Sequence, residues 1–173
     1  KIERHLRNGT EAELYGENET VFEDFEVDAQ DVPKHIIYVL YRALSCYYVD
    51  KFDEAAKLIN NLLNEVSLKK YPYAQLEIKS LLALQYVLLK DYELFNQLSN
   101  SIQRQIRLFG KDSCENIMLF LKILKIATSE AKKEKAKKIS GLIPRLNGTT
   151  VGYFAPTRLI KLDDKFVKLL TEI

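Results

Sequence analysis

Residues Tyr71 to Gly110, YPYAQLEIKSLLALQYVLLKDYELFNQLSNSIQRQIRLFG, decide the fold. The first half, Pro72 to Leu89, ends in a run from Leu81 to Leu89 interrupted by one polar residue, Gln85. A helix that is apolar all round has to be covered on several sides. In the second half Phe95, Leu98, Ile102, Ile106 and Phe109 recur at helical spacing, leaving Asn96, Gln97, Gln103, Arg104 and Arg107 for water. Between the halves, Lys90-Asp91 leaves room for only a tight turn, and Asp91 is placed to cap the second helix. Short turns make antiparallel neighbours, so this stretch reads as a helical hairpin with one buried and one half-buried arm.

Working outward, the flanks read as weaker copies. Asp31 and Pro33 suit a helix start, and Ile36, Val39, Leu40, Ala43 and Cys46 continue it as a stripe. Asp50 is expected to cap a second helix from Phe52 to about Leu68, with Ala55, Leu58, Leu62 and Val66 on one face. Beyond Gly110, which ends the central hairpin, Asp112 and Glu115 have capping-box spacing. A strongly apolar helix (Ile117, Phe120, Leu121, Leu124, Ala127) follows, then one from Glu130 to Leu146 with Ala136, Ile139 and Ile143 inward. Gly141 and Pro144 weaken its end. Asn147 to Pro156 is a loop, and Thr157 to Glu172 reads as a last helix with Leu159, Leu162, Phe166, Leu169 and Ile173 on one side. At the other end, Lys1 to Asn8 fixes little, and the acidic stretch Gly9 to Asp31 suggests a short helix or two interrupted by Gly16.

Shifts of 40 and then 41 residues bring three hairpins, about 33–68, 72–109 and 113–146, into register. Ala55, Phe95 and Ala136 coincide, as do Leu58, Leu98 and Ile139, and Leu62, Ile102 and Ile143. In the first helices Ile36, Leu76 and Ile117 fall together, then Ala43, Ala83 and Leu124, then Cys46, Tyr86 and Ala127. The turns obey the same shift, Asp50-Lys51 on Lys90-Asp91.

On these residues the chain resembles the tetratricopeptide-repeat family and its divergent relatives. YYVDKFDEAAKLI, Tyr47 to Ile59, is similar to the family's end of helix A, turn and start of helix B, with Phe52 at the aromatic position and Ala55 at the small one. Leu82, Ala83, Tyr86 and Tyr92 match in the next copy. The departures are a chain without Trp, no Pro closing each repeat, Arg42 at a usually apolar place and Phe95 at the small position of helix B. The period also exceeds the family's usual 34 or so. The resemblance implies an all-α fold: a right-handed stack of helical hairpins, about seven or eight helices in one domain over 1–173, with a C-terminal helix, about 157–172, covering the open end. It further implies a non-catalytic module that binds a partner protein or peptide in a concave groove lined by the first helices. By register that groove is Leu40, Leu44 and Tyr47, then Ser80, Leu84 and Val87, then Leu121, Lys125 and Thr128.

Composition narrows the classes. A chain of 173 residues, 47% hydrophobic and 29% charged, has enough apolar surface for a core. No apolar run reaches the ~20 residues of a membrane span. No signal peptide is visible, although a chain starting at Lys1 without Met is expected to be an excised domain or a processed product. Cys46 and Cys114 lack framework spacing and are expected to be unpaired, which favours a reducing, cytoplasmic compartment.

The net charge of +2 is unevenly spread: residues 1–31 carry three basic side chains against ten acids, a net −7, which leaves +9 for the rest. Lys132, Lys133, Lys135, Lys137 and Lys138 could touch nucleic acid or another anionic surface, the alternative function. Without interleaved aromatics, and with Glu130 and Glu134 among them, they also fit a solvated helix face. His5 and His35 have no Cys, Asp or Glu at the spacing one helix would bring together, so no metal site or catalytic role is expected. Cys114 lies near a helix start but has no recognisable base. Asn8-Gly-Thr, Asn18-Glu-Thr and Asn147-Gly-Thr match the glycosylation acceptor, a motif too short to decide anything alone. No phosphate loop, nucleophile elbow or paired-acid motif is present, and neither an enzyme nor a cofactor is expected.

Overall fold

A computed structural model describes residues 2–21, 31–152 and 154–173, with the backbone alone for 18–21. The described residues contain nine α-helices and no strand. They fall into two compact units, residues 1–68 and 69–173.

In the first unit, α1 (Ile2–Asn8) and α2 (Glu13–Val21) precede a hairpin of α3 (Val32–Tyr47) and α4 (Phe52–Glu65). Asp31 caps α3 as expected, accepting from the Lys34 N–H at 3.1 Å, and Pro33 sits in the first turn. Gly16 lies inside α2 rather than interrupting it. The rest of the predicted acidic segment, including Phe22 and Phe25, is outside the described residues.

The second unit is built around α5 (Pro72–Leu88). Helix α6 (Tyr92–Phe109) folds back on it, and α7 (Glu115–Ser129), a 3₁₀ turn (Pro156–Leu159) and α9 (Asp164–Thr171) pack on its other sides. α8 (Lys132–Asn147) pairs with α7 and α9. From Leu76 to Val87 only Lys79 and Tyr86 are not buried, as a run of apolar residues all round a helix requires.

The first two hairpins turn alike. Asp50 (φ 62°) and Lys90 (φ 60°) take the left-handed conformation, forty positions apart. The next residue in each turn donates its N–H five residues back at 2.9 Å, Lys51 to the Cys46 carbonyl and Asp91 to the Tyr86 carbonyl. Asp91 then caps α6 through the Leu94 N–H. Asp50 does not cap α4; it occupies the left-handed position, which Asp tolerates, and Lys51 is the N-cap without a side-chain bond. The third hairpin differs, because Glu130 and Ala131 are both extended. α8 buries Ile139 as expected, but Lys135, Leu142 and Leu146 accompany it instead of Ala136 and Ile143. These positions continue Ala55, Ile59, Leu62 and Phe95, Ser99, Ile102 at a constant shift of forty, so the 41-residue step does not hold for α8.

Two other boundaries move. Gly110 (φ 120°) ends α6 as expected, but Lys111–Cys114 is a 3₁₀ turn and α7 has no side-chain cap, so the Asp112/Glu115 capping box does not form. The last helix is shorter than the predicted Thr157–Glu172. Pro156–Leu159 is a 3₁₀ turn, and Asp163 caps α9 by accepting from the Phe166 N–H at 3.0 Å. Phe166 and Leu170 are its buried side chains, and Ile160 is buried just before it.

The break at Thr157 has a cause inside α5. Glu77 is wholly buried, and its Oε2 accepts from both the N–H (3.1 Å) and the hydroxyl (2.7 Å) of Thr157. Oε1 accepts from Tyr73 Oη at 2.8 Å and Asn116 Nδ2 at 3.0 Å. Four donors thus replace the water a carboxylate loses on burial, and they tie α5, α7 and the C-terminal segment to one point. Glu77→Ala should leave those donors without an acceptor and cost about 2–4 kcal/mol in urea denaturation; a loss below about 0.5 kcal/mol would contradict this. Lys90→Gly should instead stabilise by about 0.5–1 kcal/mol, because only glycine takes φ 60° without strain.

Candidate functional site

The nine residues expected to line a groove separate into two groups. In the first unit Leu40, Leu44 and Tyr47 are buried, and the Tyr47 ring packs edge-on against Tyr48 with centroids 5.0 Å apart. In the second unit Ser80, Leu84 and Val87 have no exposed surface at all. Ser80 donates its hydroxyl to the Leu76 carbonyl at 2.8 Å. The physical reason is the wrapping of α5: a helix covered by α6, α7, the 3₁₀ turn and α9 offers no face to a partner. Leu121 is buried as well, whereas Lys125 and Thr128 are half-buried. Leu121 and Lys125 meet in an open hollow of about 380 Å³, while Thr128 lies outside it with its hydroxyl on the Lys125 carbonyl at 2.9 Å.

That hollow lies between the end of α6 and the outer face of α7. Gln103, Ile106 and Arg107 come from α6 at i, i+3 and i+4, and Lys111 comes from the 3₁₀ turn after Gly110. Met118, Leu121, Lys122 and Lys125 come from one face of α7. Each helix turns most of its apolar stripe elsewhere: Phe95, Ser99 and Ile102 are buried in α6, and Ile117, Phe120, Leu124 and Ala127 in α7. What remains is an apolar floor of Ile106, Met118 and Leu121 ringed by four cationic side chains. Met118 is 36% exposed, and Ile106 and Leu121 lie buried beneath it. No carboxylate and no aromatic ring line the hollow. Among the described residues none of Arg107, Lys111, Lys122 and Lys125 forms an ion pair.

Sequence reasoning named two of these eight residues and missed the site. The signal was present but divided. Leu94 to Lys111 contains Arg104, Arg107 and Lys111 with no acid, and Asn116 to Ser129 contains Lys122 and Lys125 with none. Only the corner at Gly110 unites them.

The lysine cluster of α8 does not form the patch its spacing suggests. Lys132, Lys133 and Lys137 face solvent, and Lys138 pairs with Glu130 at 3.0 Å. Lys135 is buried, its ammonium 3.4 Å from the Ile173 carbonyl, because it extends the helix's inward stripe by one turn. Lysines in the first turn of a helix also face the positive end of its dipole.

A second hollow, about 360 Å³ within the first unit, is lined by Tyr15, Arg42, Ser45, Cys46, Glu54, Lys57 and Leu58. Its charges are mixed and partly paired, with Lys51 Nζ 3.4 Å from Glu54 and Tyr15 Oη donating to Glu54 at 3.3 Å. Cys46 Sγ lies 3.8 Å from Glu54 Oε2. Burial pushes the Cys46 thiol up to about 11, and the Glu54 charge adds to the rise while Arg42 and Lys51 oppose it. Burial and then Glu77 raise Cys114 as well. Both cysteines are unpaired and buried, so their thiols stay protonated at neutral pH, as the structural reading of Cys114 expects.

The Cys46 shift has a defined consequence for stability. The folded thiol holds its proton more tightly than an ordinary thiol of pKa 9.0, so its contribution is complete below that value and is lost as pH rises towards about 11. Tyr73, raised by burial and by Glu77, acts in the same direction. Urea denaturation should show stability falling across this window, with a shallower fall in Cys46→Ala; equal slopes would show that Cys46 is not linked. No family model, curated protein or solved structure matches this chain, so the chemistry of the hollow is read from its own side chains.

Proposed function

We propose that the chain is a non-catalytic protein-binding module that takes an acidic segment of a partner protein into the hollow between α6 and α7. One observation carries this reading: four cationic side chains, Arg107, Lys111, Lys122 and Lys125, surround an apolar floor with no carboxylate among them. Such a surface suits a short peptide with an aliphatic side chain set between Asp and Glu residues. The aliphatic group would displace water from Met118, which lies over the buried Ile106 and Leu121, and the acids would fix its position at the rim. Nucleic acid suits it less, since single strands are gripped by stacking on aromatic rings and this hollow has none. The five lysines of α8 offer no alternative stronger than this one, because Lys135 and Lys138 are engaged elsewhere.

For the architecture, we propose a divergent relative of the tetratricopeptide repeat, its hairpins stacked in series and closed by the C-terminal helix. The matching left-handed turns at Asp50 and Lys90 and the forty-residue spacing of buried positions support it. In this relative the docking surface has moved from the first helices to the outside of the second unit. The two unpaired, buried thiols fit a reducing compartment such as the cytoplasm. No helix among the described residues is long and apolar enough to cross a membrane.

The test uses a fluorescein-labelled decapeptide of Asp and Glu around a central Leu-Leu pair, followed by anisotropy. Saturable binding should weaken several-fold between about 50 and 300 mM salt. Lys122→Glu with Lys125→Glu should weaken it about tenfold or more, and Met118→Asp should abolish the aliphatic contribution. Lys132→Glu with Lys133→Glu should leave it within about twofold. Equal losses from the two double variants would reduce the hollow to unspecific attraction and sink the proposal.

A further inference from the structure

The corner between α1 and α2 assembles a set of donors that no single helix carries. Gly9 takes φ 69°, and the Thr10 N–H closes the corner on the His5 carbonyl at 3.0 Å. α2 then runs back beside α1, with Glu13 and Glu17 at i, i+4 on one face. One ligand atom each from His5, Glu13 and Glu17 lies within 4.8 Å of the others.

The histidine is oriented for ligation. Its Nδ1 lies 3.1 Å from the Thr10 carbonyl and 2.9 Å from the Thr10 hydroxyl. A carbonyl can only accept, so the tautomer that bonds it carries its hydrogen on Nδ1, whereas the hydroxyl serves either tautomer. The other nitrogen, Nε2, then faces Glu17 Oε1 at 3.4 Å. With the hydrogen on Nδ1, the Nε2 lone pair and Glu17 Oε1 converge at the spacing that two ligands of one metal ion take. A ligating histidine whose second nitrogen donates to a backbone carbonyl is the arrangement that fixes ring orientation at metal sites.

We propose that His5, Glu13 and Glu17 form a site for a divalent transition metal of the zinc class. One imidazole and two carboxylates suit zinc or cobalt; calcium and magnesium prefer oxygen alone. In tetrahedral coordination with bonds of about 2.0–2.1 Å, neighbouring ligand atoms sit about 3.4 Å apart. His5 and Glu17 already have that separation. Glu13 is exposed and free of the core, so it can swing inward by the remaining ångström or so. Three protein ligands leave the fourth position to water, and the ion would clamp α1 to α2. This site is independent of the proposed peptide hollow, which belongs to the other unit.

The experiment is cobalt titration of the untagged chain in visible absorbance, followed by displacement with zinc in calorimetry. One ion per chain with tetrahedral cobalt bands is expected, and zinc should displace it. His5→Gln and the double variant Glu13→Gln, Glu17→Gln should each weaken binding at least about tenfold, with circular dichroism unchanged. A Cys46→Ser, Cys114→Ser variant should bind as the parent does. Binding that survives the His5 or the paired Glu substitutions overturns the site. So does the absence of a one-to-one complex at submillimolar zinc.

Discussion

The second unit depends on a single buried carboxylate. Glu77 stands in a helix buried on nearly every side, and its carboxylate is tolerated there because Tyr73, Asn116 and Thr157 give it four hydrogen bonds. Thr157 is eighty positions along the chain, so the bond is also a topological constraint. With its N–H and hydroxyl committed to Glu77, Thr157 sits in a short 3₁₀ turn, and the last helix starts afresh from Asp163. An apolar side chain at 77 would pack without this cost but would not specify where the C-terminal segment lies.

That constraint also decides which faces of the second unit are left exposed. Once α5 is enclosed by α6, α7, the 3₁₀ turn and α9, the first-helix face of the unit is interior. The surface left over is the outside of α6 and α7, which carries cations because neither helix has an acid facing that way. The proposed docking site is thus a by-product of wrapping: the enclosed helix takes the apolar residues and the outer pair keeps a small apolar floor and four positive charges.

Much of this was legible in the sequence, and the failures have particular causes. The apolar run from Leu81 to Leu89 announced an enclosed helix, Asp31 and Asp91 announced their caps, and Gly110 announced the corner. The forty-residue repeat was legible too, down to the turns. The 41-residue step read for α8 failed, because Lys135 looked like a surface residue and only its neighbours in space put it inside. Asp50 was read as a cap because Asp is a good one, whereas the turn needed a left-handed residue at that place. The groove was transferred onto first-helix positions by resemblance, and periodicity could not reveal that α5 is covered on the side a repeat protein leaves open. The hollow and the His5 corner escaped because each joins residues from different helices, which a spacing rule applied to one helix cannot see.

The most direct test of the account is amide chemical-shift mapping of the acidic decapeptide on the isotopically labelled chain. The account predicts shifts confined to about residues 103–125, on α6, the 3₁₀ turn and α7, with Leu44, Ser80, Leu84 and Val87 unmoved. Shifts centred on α3 and α5 instead would mean that the wrapped helix opens to its partner, and would contradict it.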